Sequence, residues 1–318
     1  MGLYPRNLNE YVASLGIPRG PKSKAYLVDP VNGDDDNPGT NWENPMKGVE
    51  AAEDKCVGDR HDTVLLLAGD TADTPSAKIA WDKDYTHLIG LGPNLRGLGC
   101  RSRIVGTAAL DLTSVIEFSG NGCIVRNVQI FNGADADADS GAAIVSGGRN
   151  EFDDVFFAGM GHATPAARAG SYSLSLTGSE NNFERVTIGL NTILRAQSNA
   201  ELIISGAACY RNKFIMPEFL SWSVTAGKVL VKFAAGAKPW VTQFEDALFD
   251  NLDMTAGGAD GASIDNAISD ASGAKHHCLL RGKVMIAGCT GVADTLTNIF
   301  SAEPVPATGF GLAVNPAA

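Results

Sequence analysis

The feature that most constrains this chain is a repeat. Four segments align on a phenylalanine: Asn150-Glu151-Phe152-Asp153-Asp154, Asn182-Phe183-Glu184-Arg185, Asn212-Lys213-Phe214-Ile215-Met216 and Gln243-Phe244-Glu245-Asp246. Phe152, Phe183, Phe214 and Phe244 recur at a nearly constant interval, and Val125 reads as an earlier member one period before Phe152. Each segment follows a β-run that closes on a small-residue turn: Ser119-Gly120, Ser146-Gly147, Thr177-Gly178, Ser205-Gly206 and Ala235-Gly236. The interval, about 30 residues, falls within the roughly 20–50 that mean a solenoid, a propeller or an array. The units hold two or three short β-runs joined by Gly, Ser and Asn, so helical repeats are excluded. They are also too short for a propeller blade, which takes about 40–50 residues.

The unit therefore predicts one coil of a right-handed parallel β-helix, with three short strands per coil. Equivalent side chains then stack on the next coil at about 4.8 Å. Phe152, Phe183, Phe214 and Phe244 become an interior ladder, and the asparagines before them are expected at corners, where Asn tolerates left-handed backbone. Roughly eight to ten such coils, at the spacing of stacked strands, fit between residues 60 and 300 as one all-β domain. Residues 25–60 hold a first strand, a turn-rich loop and a short amphipathic helix. Asn44-Pro45 should open that helix as cap and first helical residue, with Met46, Val49, Ala52 and Cys56 on its apolar face, closing the end of the core.

Charge divides the chain unevenly. The net charge is −11, yet residues 1–24 carry Arg6, Arg19, Lys22 and Lys24 against Glu10 alone. That stretch is punctuated by Pro and Gly and predicts an extended arm that attaches to something else, with those four cations as its attachment residues. Residues 301–318 are likewise expected as an extended tail over the last coil. The acidic body argues against a nucleic-acid partner, which needs clustered Lys and Arg. No apolar run reaches the roughly 18 residues that a membrane span needs, and the first residues lack the apolar core of a signal peptide. The six cysteines form no CxxC pair and read as buried thiols of a chain folded in a cytoplasm.

Asp29 through Trp42, the helix through Ala51-Ala52, and Asp62-Thr63-Val64-Leu65-Leu66-Leu67-Ala68-Gly69 resemble the opening of pectate-lyase-like β-helix proteins. That family includes polysaccharide lyases, glycosidases, phage tailspikes and non-enzymatic virion proteins. The basic arm and the length make the phage structural branch the nearest likeness, and no catalytic motif of the family is matched. What the resemblance implies is a non-enzymatic virion protein that decorates a capsid or forms a spike. It would be located on the virion after assembly in the host cytoplasm, bound to a major capsid or other virion protein, and homotrimeric, with a host surface glycan as a second candidate partner. No cofactor, metal, nucleic acid or membrane is expected. The alternatives are a tailspike-type depolymerase and a receptor-binding adhesin.

An enzyme on this scaffold would need paired carboxylates on one outward face. The position after each Phe reads Asp153, Glu184, Ile215, Glu245, and the next reads Asp154, Arg185, Met216, Asp246. Carboxylates on adjacent coils would sit close to the roughly 5–5.5 Å of a retaining glycosidase pair, so Asp153, Glu184 and Glu245 are the catalytic candidates if there is catalysis. Ile215 and Met216 interrupt the column. Asp34-Asp35-Asp36 and Asp135, Asp137 and Asp139 are acid-rich turns without the spacing of a calcium loop. His276 and His277 face opposite sides of a strand. Trp222 and Trp240, in adjacent repeats, are the candidates for a small sugar platform.

Overall fold

The computed structural model describes residues 7–92, 102–253 and 261–301. The chain winds in turn through three sheets in which every pairing is parallel. The first sheet runs over ten strands from Ala25–Val28 to Ile299–Ser301, the second over seven from Arg103–Gly106 to Met285–Ala287, and the third over eight from Ile79–Trp81 to Cys289–Ala293. This is a right-handed parallel β-helix.

The register explains why the repeat folds this way. Phe152 pairs with Phe183, Phe183 with Phe214 and Phe214 with Phe244 across the first sheet. Their rings stack at 4.8, 4.5 and 5.0 Å, fully buried. Because side chains alternate across a strand, a slip of one residue would turn this ladder out to water. The second sheet adds a shorter stack, Phe219 on Phe249 at 5.0 Å, which meets the first ladder edge-on through Phe244 and Phe249 at 6.0 Å. Val145, Leu176, Ile204 and Phe233 close the core from the third sheet.

The corners differ from the expectation in one respect. Asn150, Asn182 and Asn212 are not left-handed; Asn150 and Asn212 instead join Asn181, the residue before Asn182, in a buried ladder. The Asn150 N–H donates to Asn181 Oδ1 and the Asn181 N–H to Asn212 Oδ1, both at 2.9 Å, while their side-chain amides donate to the carbonyls of Gly120, Gly147 and Gly178. The left-handed turn falls one residue earlier, on Arg149, Glu180 and Arg211. A second left-handed column follows each Phe by two residues: Asp154, Arg185, Met216 and Asp246.

The N-terminal segment is also not an extended arm over its described length. Residues Leu8–Ser14 form helix α1, capped by Asn7, whose Oδ1 accepts the Glu10 N–H at 2.8 Å. Leu8 and Val12, with Ile17 beyond, pack on Leu27, Leu65 and Ile89, the outward apolar residues of the first three strands. Leu8, Tyr11, Val12 and Leu15 follow helical spacing, and burying that stripe outweighs the Pro and Gly that suggested an extended chain. Arg19 is turned inward to the segment itself, donating from Nε to Ser23 Oγ at 3.0 Å. Lys22 and Lys24 are exposed, and Arg6 lies outside the described residues.

The capping helix, α2, spans Val49–Lys55 with Gly48 as its cap, not Asn44. Met46 is held extended as a bridge partner of Val28, with its N–H on the Leu27 carbonyl at 2.8 Å, so the helix begins only after it. Val49, Ala52 and Cys56 lie in the core. The Asp34 loop orders itself through a side-chain turn, Asp34 Oδ1 accepting the Asp36 N–H at 3.0 Å. The five described cysteines are buried and free, and Cys100 lies outside the described residues. All but the first residue of the 301–318 tail lies outside them as well.

Candidate functional site

The outer face of the first sheet gathers the carboxylates expected there. Asp153 pairs in register with Glu184, Glu184 with Ile215, and Ile215 with Glu245. Asp153 and Glu184 are therefore neighbours on adjacent coils, and Ile215 separates Glu245 from both. Glu245 has its own partners, Lys213 Nζ at 3.4 Å and the Gln243 amide, which donates at 2.8 Å.

Between Asp153 and Glu184 stands Arg185. Its guanidinium contacts Asp153 and Glu184 and reaches Asp154 at 3.2 Å through Nε. The left-handed backbone at Arg185 turns this side chain back over the strand rather than along the next one. Burial pushes the Asp153 carboxyl above its ordinary value, with Arg185 pulling the other way. Burial also works against the charge on Arg185, but the three carboxylates outweigh it and hold the guanidinium more firmly protonated. On the far side Arg126 bonds Glu151 at 2.5 Å and stands 3.8 Å from Asp153. The face is an alternating array of ion pairs. It borders a groove of about 280 Å³ lined by Leu15 and Ile17 of the N-terminal segment and by Arg126, Asp153 and Asp154.

Two tryptophans expected as a platform are not together. Trp222 lies half-buried in a strand of the second sheet, Glu218–Ser223. Trp240 precedes a first-sheet strand, 56% exposed, and stacks on Tyr210 at 4.6 Å. The acid-rich turn at 135–139 is engaged by His162 and Arg168 at 3.0 and 3.2 Å. His276 is buried against Asp270 at 3.0 Å while His277 is exposed. Among the described residues no three carboxylate, imidazole or thiolate groups stand at metal-ligand spacing.

One cluster was missed in the sequence. Glu201, on a third-sheet strand, is fully buried between Arg195 and Lys228, which are fully buried too, at 3.1 and 3.0 Å. Ser173 donates its hydroxyl to Glu201 at 2.5 Å, and Arg195 donates to the Met160 and Gly159 carbonyls. The cluster holds two cations and one anion. Burial is the leading effect on Lys228 and on Glu201. It pulls Lys228 down to about 8, whereas for Glu201 the two cations overcome it and keep the carboxyl below its usual range. The available signal was a lone acid inside the apolar run Ala200-Glu201-Leu202-Ile203-Ile204. Its enclosure marks it as a brace between sheets and not as a reaction centre.

No family model matches the sequence, and no curated protein matches it either. Solved structures do resemble the fold. Pectin methylesterase PemA from Erwinia chrysanthemi is 13% identical with a TM-score of 0.52, over 87% of this chain and 80% of that one. Pectate lyase Pel9A is 14% identical at 0.55, over 87% and 69%. Geobacillus virus E2 ORF18 is 14% identical at 0.50, over 89% of this chain and 55% of that one. At such identity the likeness is one of fold: this chain shares the right-handed β-helix of pectin methylesterases, a pectate lyase and a virus protein.

Proposed function

We propose that this β-helix is a non-enzymatic structural protein of a phage virion, a capsid-decorating or spike-like projection assembled in the host cytoplasm. The observation that carries the non-enzymatic part is Arg185: it binds both members of the adjacent carboxylate pair on the first sheet's outer face, Asp153 and Glu184, and Asp154 besides. A retaining pair needs one carboxylate free to attack and the other to donate a proton, and a shared guanidinium opposes both roles. The fold common to this chain and a virus protein supports the virion part. In this reading the surplus positive charge of residues 1–24 meets a major capsid or other virion protein. Lys22 and Lys24 are its exposed contacts, joined by Arg6, while Arg19 braces the segment. Three copies side by side form the projection.

Co-sedimentation with assembled particles tests this reading. A Lys22→Glu, Lys24→Glu variant should lose binding, and undiminished binding overturns the attachment. The groove beside Asp153 and the raised affinity of that carboxyl for its proton favour the depolymerase as the second reading. Release of reducing ends from a capsule or lipopolysaccharide, abolished by Asp153→Ala or Glu184→Ala, would establish it in place of the first.

A further inference from the structure

Five successive turns lead from the third sheet to the first, at residues 146–150, 177–181, 205–211, 234–240 and 271–276. Together they carry Arg149, Arg211, Lys238 and Lys275 against Glu180 alone, on a chain whose net charge is −11. Glu180 is itself held between Arg149, at 2.8 Å, and Arg211. Parallel stacking sets these turns one above another at about 4.8 Å per coil, so they form a cationic ridge on an acidic molecule. Within the ridge Tyr210 and Trp240 stack at 4.6 Å, and the Arg211 guanidinium lies 5.1 Å from the centre of the Tyr210 ring.

A second observation concerns Trp240 and is independent of charge. Its backbone is left-handed, at φ 47, and its side chain is 56% exposed. A bulky residue is rare in that conformation, which strains it, and an indole in water adds the cost of exposed apolar surface. The residue in register on the next coil, His276, turns its ring inward to Asp270 at 3.0 Å and Phe233 at 4.7 Å, so it does not cover the indole. Trp, Tyr and Arg clustered in this way are the residue types that dominate binding energy where two proteins meet.

The ridge cannot pair with its own copy, because like charges would face each other. A contact between copies must join it to a different, acidic face, and contacts of that kind close into rings. The outward side of the second sheet fits. Glu218 pairs in register with Leu248 and Leu248 with Met285, while Leu220 pairs with Asp250. Met285 is 55% exposed, and the three strands involved hold no Lys or Arg. Burial, with the charges of Asp253 and Glu218, holds the Asp250 carboxyl above its ordinary value, and a cation brought against it would relieve that. Glu218 lies in the same coil as Arg211, and Asp250 in the same coil as Trp240. Rotation about an axis parallel to the coil preserves height, so ridge and face meet level. We propose that the ridge of Tyr210, Arg211 and Trp240 docks on the Glu218–Asp250 face of a second copy of this chain. The inference rests on the side-by-side assembly of the virion reading and names the surfaces that make it.

Sedimentation velocity of the full chain over a concentration series tests it. The wild type should assemble into trimers. Trp240→Asn removes the indole but supplies a residue that tolerates left-handed backbone, and Glu218→Lys reverses the charge of the receiving face. Each should raise the dissociation constant at least about tenfold, a step of about 1.4 kcal/mol, with a circular dichroism spectrum like that of the wild type. Arg211→Glu, at an exposed side chain, should do the same and keeps the test decisive if either of the others loses its fold. A trimer that persists unchanged in a folded variant overturns these surfaces and leaves the side-by-side assembly standing. A wild type that stays monomeric throughout overturns both.

Discussion

Glu201→Gln should be among the most damaging single changes in this protein. The side chain is fully buried with Arg195 at 3.1 Å and Lys228 at 3.0 Å. Gln keeps the volume, so no cavity opens, but two buried cations lose their one counter-charge. Removing one partner of a buried ion pair costs about 3–5 kcal/mol, a large share of the roughly 5–15 kcal/mol that holds a domain folded. Lys228→Met does the opposite. It removes the surplus cation, leaves Arg195 and Glu201 as a neutral pair, and keeps an unbranched apolar stem. The expected stability is within about 1 kcal/mol of the wild type at neutral pH, or above it.

The two states of Lys228 also give the pH dependence its sign. Its folded value, about 8, lies below the ordinary lysine value. Between about pH 8 and about pH 10.4 the unfolded chain therefore binds more protons, and this group makes the wild type more stable as pH rises. Below pH 8 the full penalty is present, on the order of 3 kcal/mol. Urea unfolding of wild type and Lys228→Met, followed by circular dichroism at pH 7 and pH 10, reads it directly. Buried cysteines such as Cys278 oppose this trend in both proteins, and the difference between the two curves cancels them. The reasoning fails if Lys228→Met costs as much as Glu201→Gln, or if the gap to wild type is the same at both pH values.

Phe183→Ala should cost about 3–5 kcal/mol, since the ring is buried between Phe152 at 4.8 Å and Phe214 at 4.5 Å; Phe183→Leu should cost less than half of that in the same urea experiment. Arg185→Ala leaves Asp153, Asp154 and Glu184 facing one another and removes the guanidinium that opposes the raised proton affinity of Asp153. The variant should melt below the wild type at pH 7, and the gap should narrow as pH falls through the carboxylate range, read by the midpoint temperature at pH 7 and pH 4.5.

Much of the architecture was legible because the chain repeats its own instructions. The Phe spacing implies the coil, and the two-residue alternation of a strand places Asp153, Glu184 and Glu245 outward once Phe is inward. The role of Arg185 was not legible. Its side chain leaves a left-handed corner, and which carboxylates it meets depends on the turn and not on a count of residues. Helix α1 was legible in Leu8, Tyr11, Val12 and Leu15 but was obscured by the turn residues that follow. Asn150 and Asn212 were placed near the right corner in the wrong role, and in the repeat between them the ladder residue is Asn181 and not Asn182, because the amides pair across coils and the left-handed residue precedes the ladder.

The sequence by itself determined the period, the inward face of the first sheet and the unequal charge of its two ends. These are local properties, set by which side chains must leave water and how strands alternate. Only the tertiary structure decided which residues of different coils touch. Parallel stacking brings positions one full coil apart in sequence into contact, so Asp153 meets Arg185 and Glu201 meets Lys228. It also set Tyr210 and Trp240, one coil apart, ring on ring at one corner. The energy of a charge depends on what surrounds it; a lone acid in a strand carries no mark of whether its neighbours will be water, a guanidinium or another acid.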